Sequence, residues 1–99
     1  MVTICEVGPR DGLQNAPRIF APAERARMIV ELAQAGLRSI EAVSMVAPAR
    51  VPQMAGAEEV LAALPALEGV HLSALVLNLR GAERALATRV QGVRFAVVA

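Results

Sequence analysis

The chain has 99 residues, a net charge of +1 and a single cysteine, and these facts exclude several classes of protein. The ten basic and nine acidic residues are interspersed, so we expect neither nucleic acid nor a membrane surface as a partner. One cysteine rules out an intrachain disulfide, and no apolar run approaches the roughly 20 residues that span a bilayer. The first residues lack the basic start of a signal peptide, so we expect a cytoplasmic protein.

Two kinds of segment alternate along the chain. Hydrophobic residues make up 56% of the sequence but aromatic residues only 2%, which favours buried strands and closely packed helices built from Ala, Val and Leu. Strand-like runs occupy 2–7, 39–46, 70–77 and 93–98, and helix-like segments occupy 22–35, 57–64 and 81–88. This alternation predicts βα units that form a parallel sheet.

The spacing of the strands favours one α/β architecture over another. Strands recur every 25–35 residues or so, as they do in a (β/α)₈ barrel of about 250 residues. We therefore predict that residues 1–99 are the N-terminal half of a single TIM-barrel catalytic domain. A doubly wound sheet is the alternative, but its glycine-rich phosphate turn is missing after the first strand, where the sequence reads Gly8-Pro9-Arg10-Asp11-Gly12.

That turn places a cation and a carboxylate at the end of the first strand. The Asp11 carboxylate is suited to Mg²⁺ or Mn²⁺, and the fork of donors on Arg10 is suited to a carboxylate or enolate oxygen. The commonest reading of such a pair is nevertheless a surface salt bridge. Glu41 lies among apolar neighbours in the second strand, where alternation gives it the same facing as Ser39 and Val43. A buried carboxylate needs a partner, and in a barrel the neighbouring strands would bring Glu41 to Arg10.

Other polar residues are weaker candidates. Gln14 and Asn15 add amide groups beyond the turn, and Asn78 follows the third strand. Cys5 is read as a small core residue because no activating histidine lies near it in sequence. His71 is read as a residue of a strand end or of the surface.

The segment from Glu6 to Asn15 resembles the N-terminal signature of the hydroxymethylglutaryl-CoA lyase family, whose members are metal-dependent TIM-barrel enzymes. Gly8-Pro9 before the arginine, and Leu13-Gln14-Asn15 after Gly12, are similar to the lyases rather than to sibling synthases. The similarity continues through almost the whole chain, at Ala35-Gly36-Leu37, Ile40-Glu41-Ala42-Val43-Ser44, Val51-Pro52-Gln53-Met54 and Asn78-Leu79.

The resemblance implies an activity, a cofactor and a set of site residues. The reaction would be retro-Claisen cleavage of 3-hydroxy-3-methylglutaryl-CoA, or a close analogue, to acetyl-CoA and acetoacetate, as in leucine degradation. Asp11 would bind a divalent metal, Mg²⁺ or Mn²⁺, Arg10 would stabilise the enolate, and Glu41 would support Arg10. Four residues would contact the acyl-CoA substrate: Arg10, Gln14, Ser44 and Asn78. The full-length enzyme would be a homo-oligomer, most simply a dimer.

The chain also departs from the family pattern. The family's His-x-His metal ligands are absent, and Cys5 cannot replace its C-terminal cysteine loop. We therefore predict that the isolated 99 residues are inactive, bind metal weakly and associate through exposed strand edges. The alternatives are another condensing enzyme or aldolase of the same superfamily, or a non-catalytic assembly module.

Overall fold

A computed structural model describes residues 4–12, 18–46 and 51–95. These ranges contain three helices, α1 (Pro22–Gln34), α2 (Ala57–Ala62) and α3 (Leu79–Leu86), and three strands, β1 (Ser39–Ser44), β2 (His71–Val76) and β3 (Gly92–Phe95). A π-helical turn at Gly8–Gly12 and a 3₁₀ turn at Pro52–Met54 complete the description. Within these ranges, no helix is both long and apolar enough to cross a membrane.

The strands form a parallel sheet in the order β1-β2-β3. Of the first predicted strand, the described part shows a parallel bridge from Glu6 to Ile40, next to β1. The Glu6 N–H donates to the Ser39 carbonyl at 2.9 Å, and the Glu41 N–H donates to the Glu6 carbonyl at 2.8 Å. Strands that are neighbours in sequence are therefore neighbours in space, which is the strand order of a barrel. In a doubly wound sheet, the strand order reverses part-way across the sheet.

One face of the sheet is covered by the helices. This face carries the hydrophobic core, in which strand residues pack against buried residues from α1, α2 and α3. The strands contribute Ile40, Val43, Leu72, Ala74 and Val76, and the helices contribute Ala26, Ile29, Val60, Leu61 and Ala85. Because the three described helices lie on one side, no helix of the described residues covers the opposite face.

The helix boundaries follow local chemistry. Pro22 begins α1, where its missing N–H costs nothing, and Gly36 follows the helix with a φ of 106° that favours glycine. The third helix begins two residues before the predicted 81, because Asn78 Oδ1 accepts a hydrogen bond from the Gly81 N–H at 2.8 Å. The second helix ends at Ala62, two residues short of the prediction.

An irregularity in β1 changes which residues share a face. Glu41 pairs with Ser73, but Val43 pairs with Ala74, so Ala42 is an extra residue in the ladder. Paired residues of parallel strands point to the same side, and Ser73 and Ala74 point to opposite sides. The expectation that Glu41 and Val43 share a face is therefore wrong.

Two arginines link the helices to neighbouring segments of the chain. Arg84 of α3 forms a bidentate pair with Glu58 of α2, with Nε and Nη2 each 2.8 Å from a carboxylate oxygen, and its Nη1 lies 3.3 Å from the Val46 carbonyl. The hydrogen bond from Arg84 lowers the pKa of Glu58. Arg25 of α1 is 1% exposed and donates from Nη1 to the Ala55 carbonyl at 2.7 Å. Burial lowers the pKa of its guanidinium.

Candidate active site

The face of the sheet that the helices leave free carries polar side chains. Ser44 pairs with Leu75, which lies two residues beyond Ser73, so Glu41, Ser73 and Ser44 all point to this side. They are 1%, 5% and 0% exposed, respectively. Buried polar groups are uncommon unless they are hydrogen-bonded or functional, so this face is the candidate site.

The π-helical turn delivers Arg10 to the same face. Its backbone N–H donates to the Val7 carbonyl at 3.1 Å, and the Gly8 N–H donates to Glu6 Oε1 at 2.9 Å. A Cβ on Gly8 would lie only 2.8 Å from that Glu6 oxygen, so a larger residue here would displace the Glu6 side chain from this hydrogen bond. Arg10 Nη2 then lies 3.2 Å from Glu41 Oε2. The predicted ion pair between Arg10 and Glu41 is therefore present.

This ion pair is largely shielded from water. The Arg10 side chain is 17% exposed and that of Glu41 is 1% exposed. Glu41 Oε1 and the Ser44 hydroxyl have no hydrogen-bond partner among the described residues. A buried acceptor left unsatisfied costs about 1–3 kcal/mol, so two oxygens of this kind on one face favour a bound ligand.

The other predicted site residues are less well defined. The backbone of Asp11 belongs to the π-helical turn, but its side chain and the whole of Gln14 lie outside the described residues. Asn78 is exposed, and its side chain caps α3. His71 is exposed at the start of β2, as expected. The described ranges contain no group of three or more His, Cys, Asp or Glu side chains that could hold a metal ion.

Ser73 was not singled out from the sequence. It pairs with Glu41 on one side and with Gly92 on the other, so it lies between two strands on the polar face. The signal was available in the run His71–Val76, where a serine interrupts apolar residues at an inward position. Its proximity to Glu41 depends on register, which the sequence does not supply.

Comparisons with known proteins identify the family. A family model described as HMGL-like matches residues 1–99. The chain belongs to the HMGL-like family. A relative of this HMGL-like chain, hydroxymethylglutaryl-CoA lyase of Pseudomonas mevalonii, is 54% identical over 84 residues, which cover 85% of this chain and 28% of the relative. The (R)-citramalyl-CoA lyase of Chloroflexus aurantiacus is 42% identical over 108 residues, covering 99% and 34% of the two chains.

The fold of this HMGL-like chain matches a solved structure of the same kind. The crystal structure of hydroxymethylglutaryl-CoA lyase from Pseudomonas aeruginosa aligns with a TM-score of 0.90 at 46% identity, over 95% of this chain and 31% of that one. The parallel βα units therefore match the first part of a TIM barrel, as predicted. The chain spans about a third of the length of these relatives, at 28–34% of each.

Proposed function

We propose that this chain contributes Arg10 and Glu41 to the active site of an acyl-CoA lyase. The reaction is the retro-Claisen cleavage of 3-hydroxy-3-methylglutaryl-CoA, or of a close analogue, to acetyl-CoA and acetoacetate. The observation that carries the proposal is the ion pair of 3.2 Å between these residues on the polar face, in a chain of the HMGL-like family. Its position at the carboxyl end of parallel strands supports a catalytic role, because barrel enzymes place their active sites there.

The chemistry requires a fixed positive charge where negative charge develops. Cleavage breaks the bond between C2 and C3 of the acyl group, and the C3 hydroxyl loses its proton as that carbon becomes a ketone. The electron pair passes to C2 and the thioester oxygen, giving an enolate that takes up a proton at C2 to become acetyl-CoA, which balances the proton lost from the hydroxyl. Arg10 stabilises this oxygen, and Glu41 holds the Arg10 guanidinium in one orientation, so that little reorganisation is needed during the reaction.

A divalent cation, Mg²⁺ or Mn²⁺, fits the donor chemistry of this end of the sheet. The donors are all oxygens, from Asp11 next to Arg10 and from the unpartnered Glu41 Oε1 and Ser44 hydroxyl. Asp11 would be the ligand from this chain, and one carboxylate is too few for a stable site. Such a cation supplies Lewis-acid polarisation of substrate oxygens. The isolated 99 residues are accordingly expected to bind metal weakly and to be inactive.

The substrate contacts proposed for this chain differ in support. The buried, unpartnered hydroxyl of Ser44 supports a ligand contact. Asn78 already uses its side-chain oxygen to cap α3, which gives it a structural role beside the proposed one. The substrate contact proposed for Gln14 is supported by the sequence resemblance alone. The homodimer, the cytoplasmic location, the place in leucine degradation and the half-barrel boundary at 1–99 also remain predictions.

A lyase for a different acyl-CoA is the second candidate. It is favoured by the 42% identity to (R)-citramalyl-CoA lyase, which extends over 99% of this chain. A condensing enzyme or aldolase of the same superfamily and a non-catalytic assembly module are the remaining alternatives. The intact Arg10–Glu41 pair supports catalysis over the last of these.

The test is acetyl-CoA release from 3-hydroxy-3-methylglutaryl-CoA by the purified full-length protein that contains these 99 residues, with Mg²⁺ or Mn²⁺. We expect Arg10→Lys to lower kcat by roughly 10²–10³-fold, because a lysine cannot be held in the same forked geometry, with a smaller change in KM. Arg27→Ala, on the exposed side of α1, is the matched control and should leave both constants unchanged.

Two results would contradict the proposal. Arg10→Lys with undiminished kcat would remove Arg10 from the active site. Release of acetyl-CoA from citramalyl-CoA, with none from 3-hydroxy-3-methylglutaryl-CoA, would favour the second candidate.

A further inference from the structure

A second arginine points to the same face of the sheet as Arg10. Arg94 of β3 pairs with Leu75 of β2, and Leu75 pairs with Ser44 of β1, so the three side chains form one row across the polar face. Its neighbour Val93 points the other way and lines a cavity of about 190 Å³ with Ala85 of α3. Because Val93 faces the helix layer, its neighbour Arg94 faces the opposite side of the sheet.

Arg94 is available to bind a ligand. Its side chain is exposed, and it forms no ion pair within the part of the chain that the structure describes. The row that contains Ser44 and Arg94 lies nearer the carboxyl ends of the strands than the row that contains Glu41, Ser73 and Gly92. Arg94 is therefore on the side of the sheet where the Arg10 turn lies. Two strand spacings, about 10 Å, separate the backbones of Ser44 and Arg94, a gap that a small acyl group can bridge.

The charges on this face leave one position for an anionic group. Arg10 is engaged with Glu41, and in the proposed function it serves the thioester oxygen. Ser44 and Ser73 are neutral, and the Glu41 carboxylate repels other anions. The fork of an arginine matches a carboxylate with two parallel hydrogen bonds. Arg94 is thus the described residue on this face that is best placed to neutralise a carboxylate beyond the reacting carbons.

We propose that Arg94 binds the carboxylate at the far end of the acyl group and so selects carboxylated acyl-CoA substrates. This inference rests on the proposed function and adds a specificity-determining residue to it. Arg94 lies two strand spacings from β1, whose Glu41 holds Arg10, so one arginine can hold each end of the acyl group. The two roles are separable, since one concerns charge that develops during the reaction and the other concerns charge already present in the substrate.

The experiment compares two substrates that differ only in this carboxylate. They are 3-hydroxy-3-methylglutaryl-CoA and 3-hydroxy-3-methylbutanoyl-CoA, in which a hydrogen replaces the carboxylate. We expect Arg94→Gln to raise KM for the first substrate by about tenfold to a hundredfold, because a charge-assisted hydrogen bond is lost, with little change in kcat. The second substrate should show no change. Arg94→Lys should restore part of the affinity, and Arg27→Ala is the control.

Binding of free 3-hydroxy-3-methylglutarate, measured by calorimetry, keeps this test separate from the lyase activity. If the protein cleaves neither substrate, the proposed function fails, but weaker binding of the free dicarboxylate to Arg94→Gln would still support the role of Arg94. Equal binding to wild type and Arg94→Gln would overturn the inference. An equal rise in KM for both substrates would also overturn it, because the contact would then be to the coenzyme A part.

Discussion

The geometry of the bidentate pair between Arg84 and Glu58 predicts how much the pair contributes to stability. The two nitrogen–oxygen distances are both 2.8 Å, which is favourable for a charge-assisted pair. The Glu58 side chain is 45% exposed and that of Arg84 is 26% exposed, so solvent screens much of the attraction. We expect a coupling free energy of about 0.5–1 kcal/mol. Arg84→Met should cost about 1–1.5 kcal/mol, because it also loses the contact to the Val46 carbonyl.

The pH dependence of this coupling has a definite sign. The Arg84 hydrogen bond lowers the pKa of Glu58 in the folded state from its ordinary value of 4.5. A lowered pKa means that the stabilisation is fully present above the unfolded-state pKa. It is lost as the pH falls through the lower pKa of the folded state. The coupling should therefore be complete at pH 7 and should decrease progressively below about pH 4.5.

Urea unfolding followed by circular dichroism measures this coupling in a double-mutant cycle. The cycle uses wild type, Arg84→Met, Glu58→Gln and the double variant, each at pH 7 and at a pH well below the ordinary pKa of a glutamate. Arg80→Met, an exposed arginine on the same helix, is the control and should have almost no effect. A coupling below about 0.2 kcal/mol at pH 7, or one that is unchanged in acid, would refute the reasoning.

Two further predictions concern the turns. Gly56→Ala should destabilise the protein by about 1 kcal/mol more than Gly69→Ala, because both glycines have a φ of 75° but only a Cβ at 56 would meet Pro22 Cγ, at 3.1 Å. Equal losses of unfolding free energy would show that this contact relaxes. Asn78→Ala should cost about 1 kcal/mol of stability, whereas Asn78→Asp should retain the cap of α3. A raised substrate KM in Asn78→Asp at unchanged stability would support the proposed substrate contact, and an unchanged KM would contradict it.

Much of the fold could be predicted because it depends on local signals. Pro22 and Gly36 mark the two ends of α1, and the apolar runs mark the strands. The proximity of Arg10 and Glu41 could also be predicted, since consecutive parallel strands place their carboxyl ends at one edge.

The remaining features depend on three-dimensional packing. Arg25 lies four residues before Ile29 on the buried side of α1, but the partner of its buried guanidinium, the Ala55 carbonyl, comes from a distant segment that the helical pattern does not reveal. The alignment of Ser73 with Glu41, and of Arg94 with Ser44, follows from the register of the strands. Register is fixed by the core as a whole, which a single sequence does not display.

The extra residue at Ala42 makes the length of β1 as important as its composition. Glu41 and Ser44 are three positions apart, a spacing that in a regular strand would send their side chains to opposite faces. The bulge corrects this difference, so the carboxylate and the hydroxyl lie on the same polar face. Deletion or insertion of one residue here would place a core side chain where a site side chain now lies, although the rest of the sequence would be unchanged. Comparisons of this segment between proteins should therefore treat a gap of one position as a change in the active site.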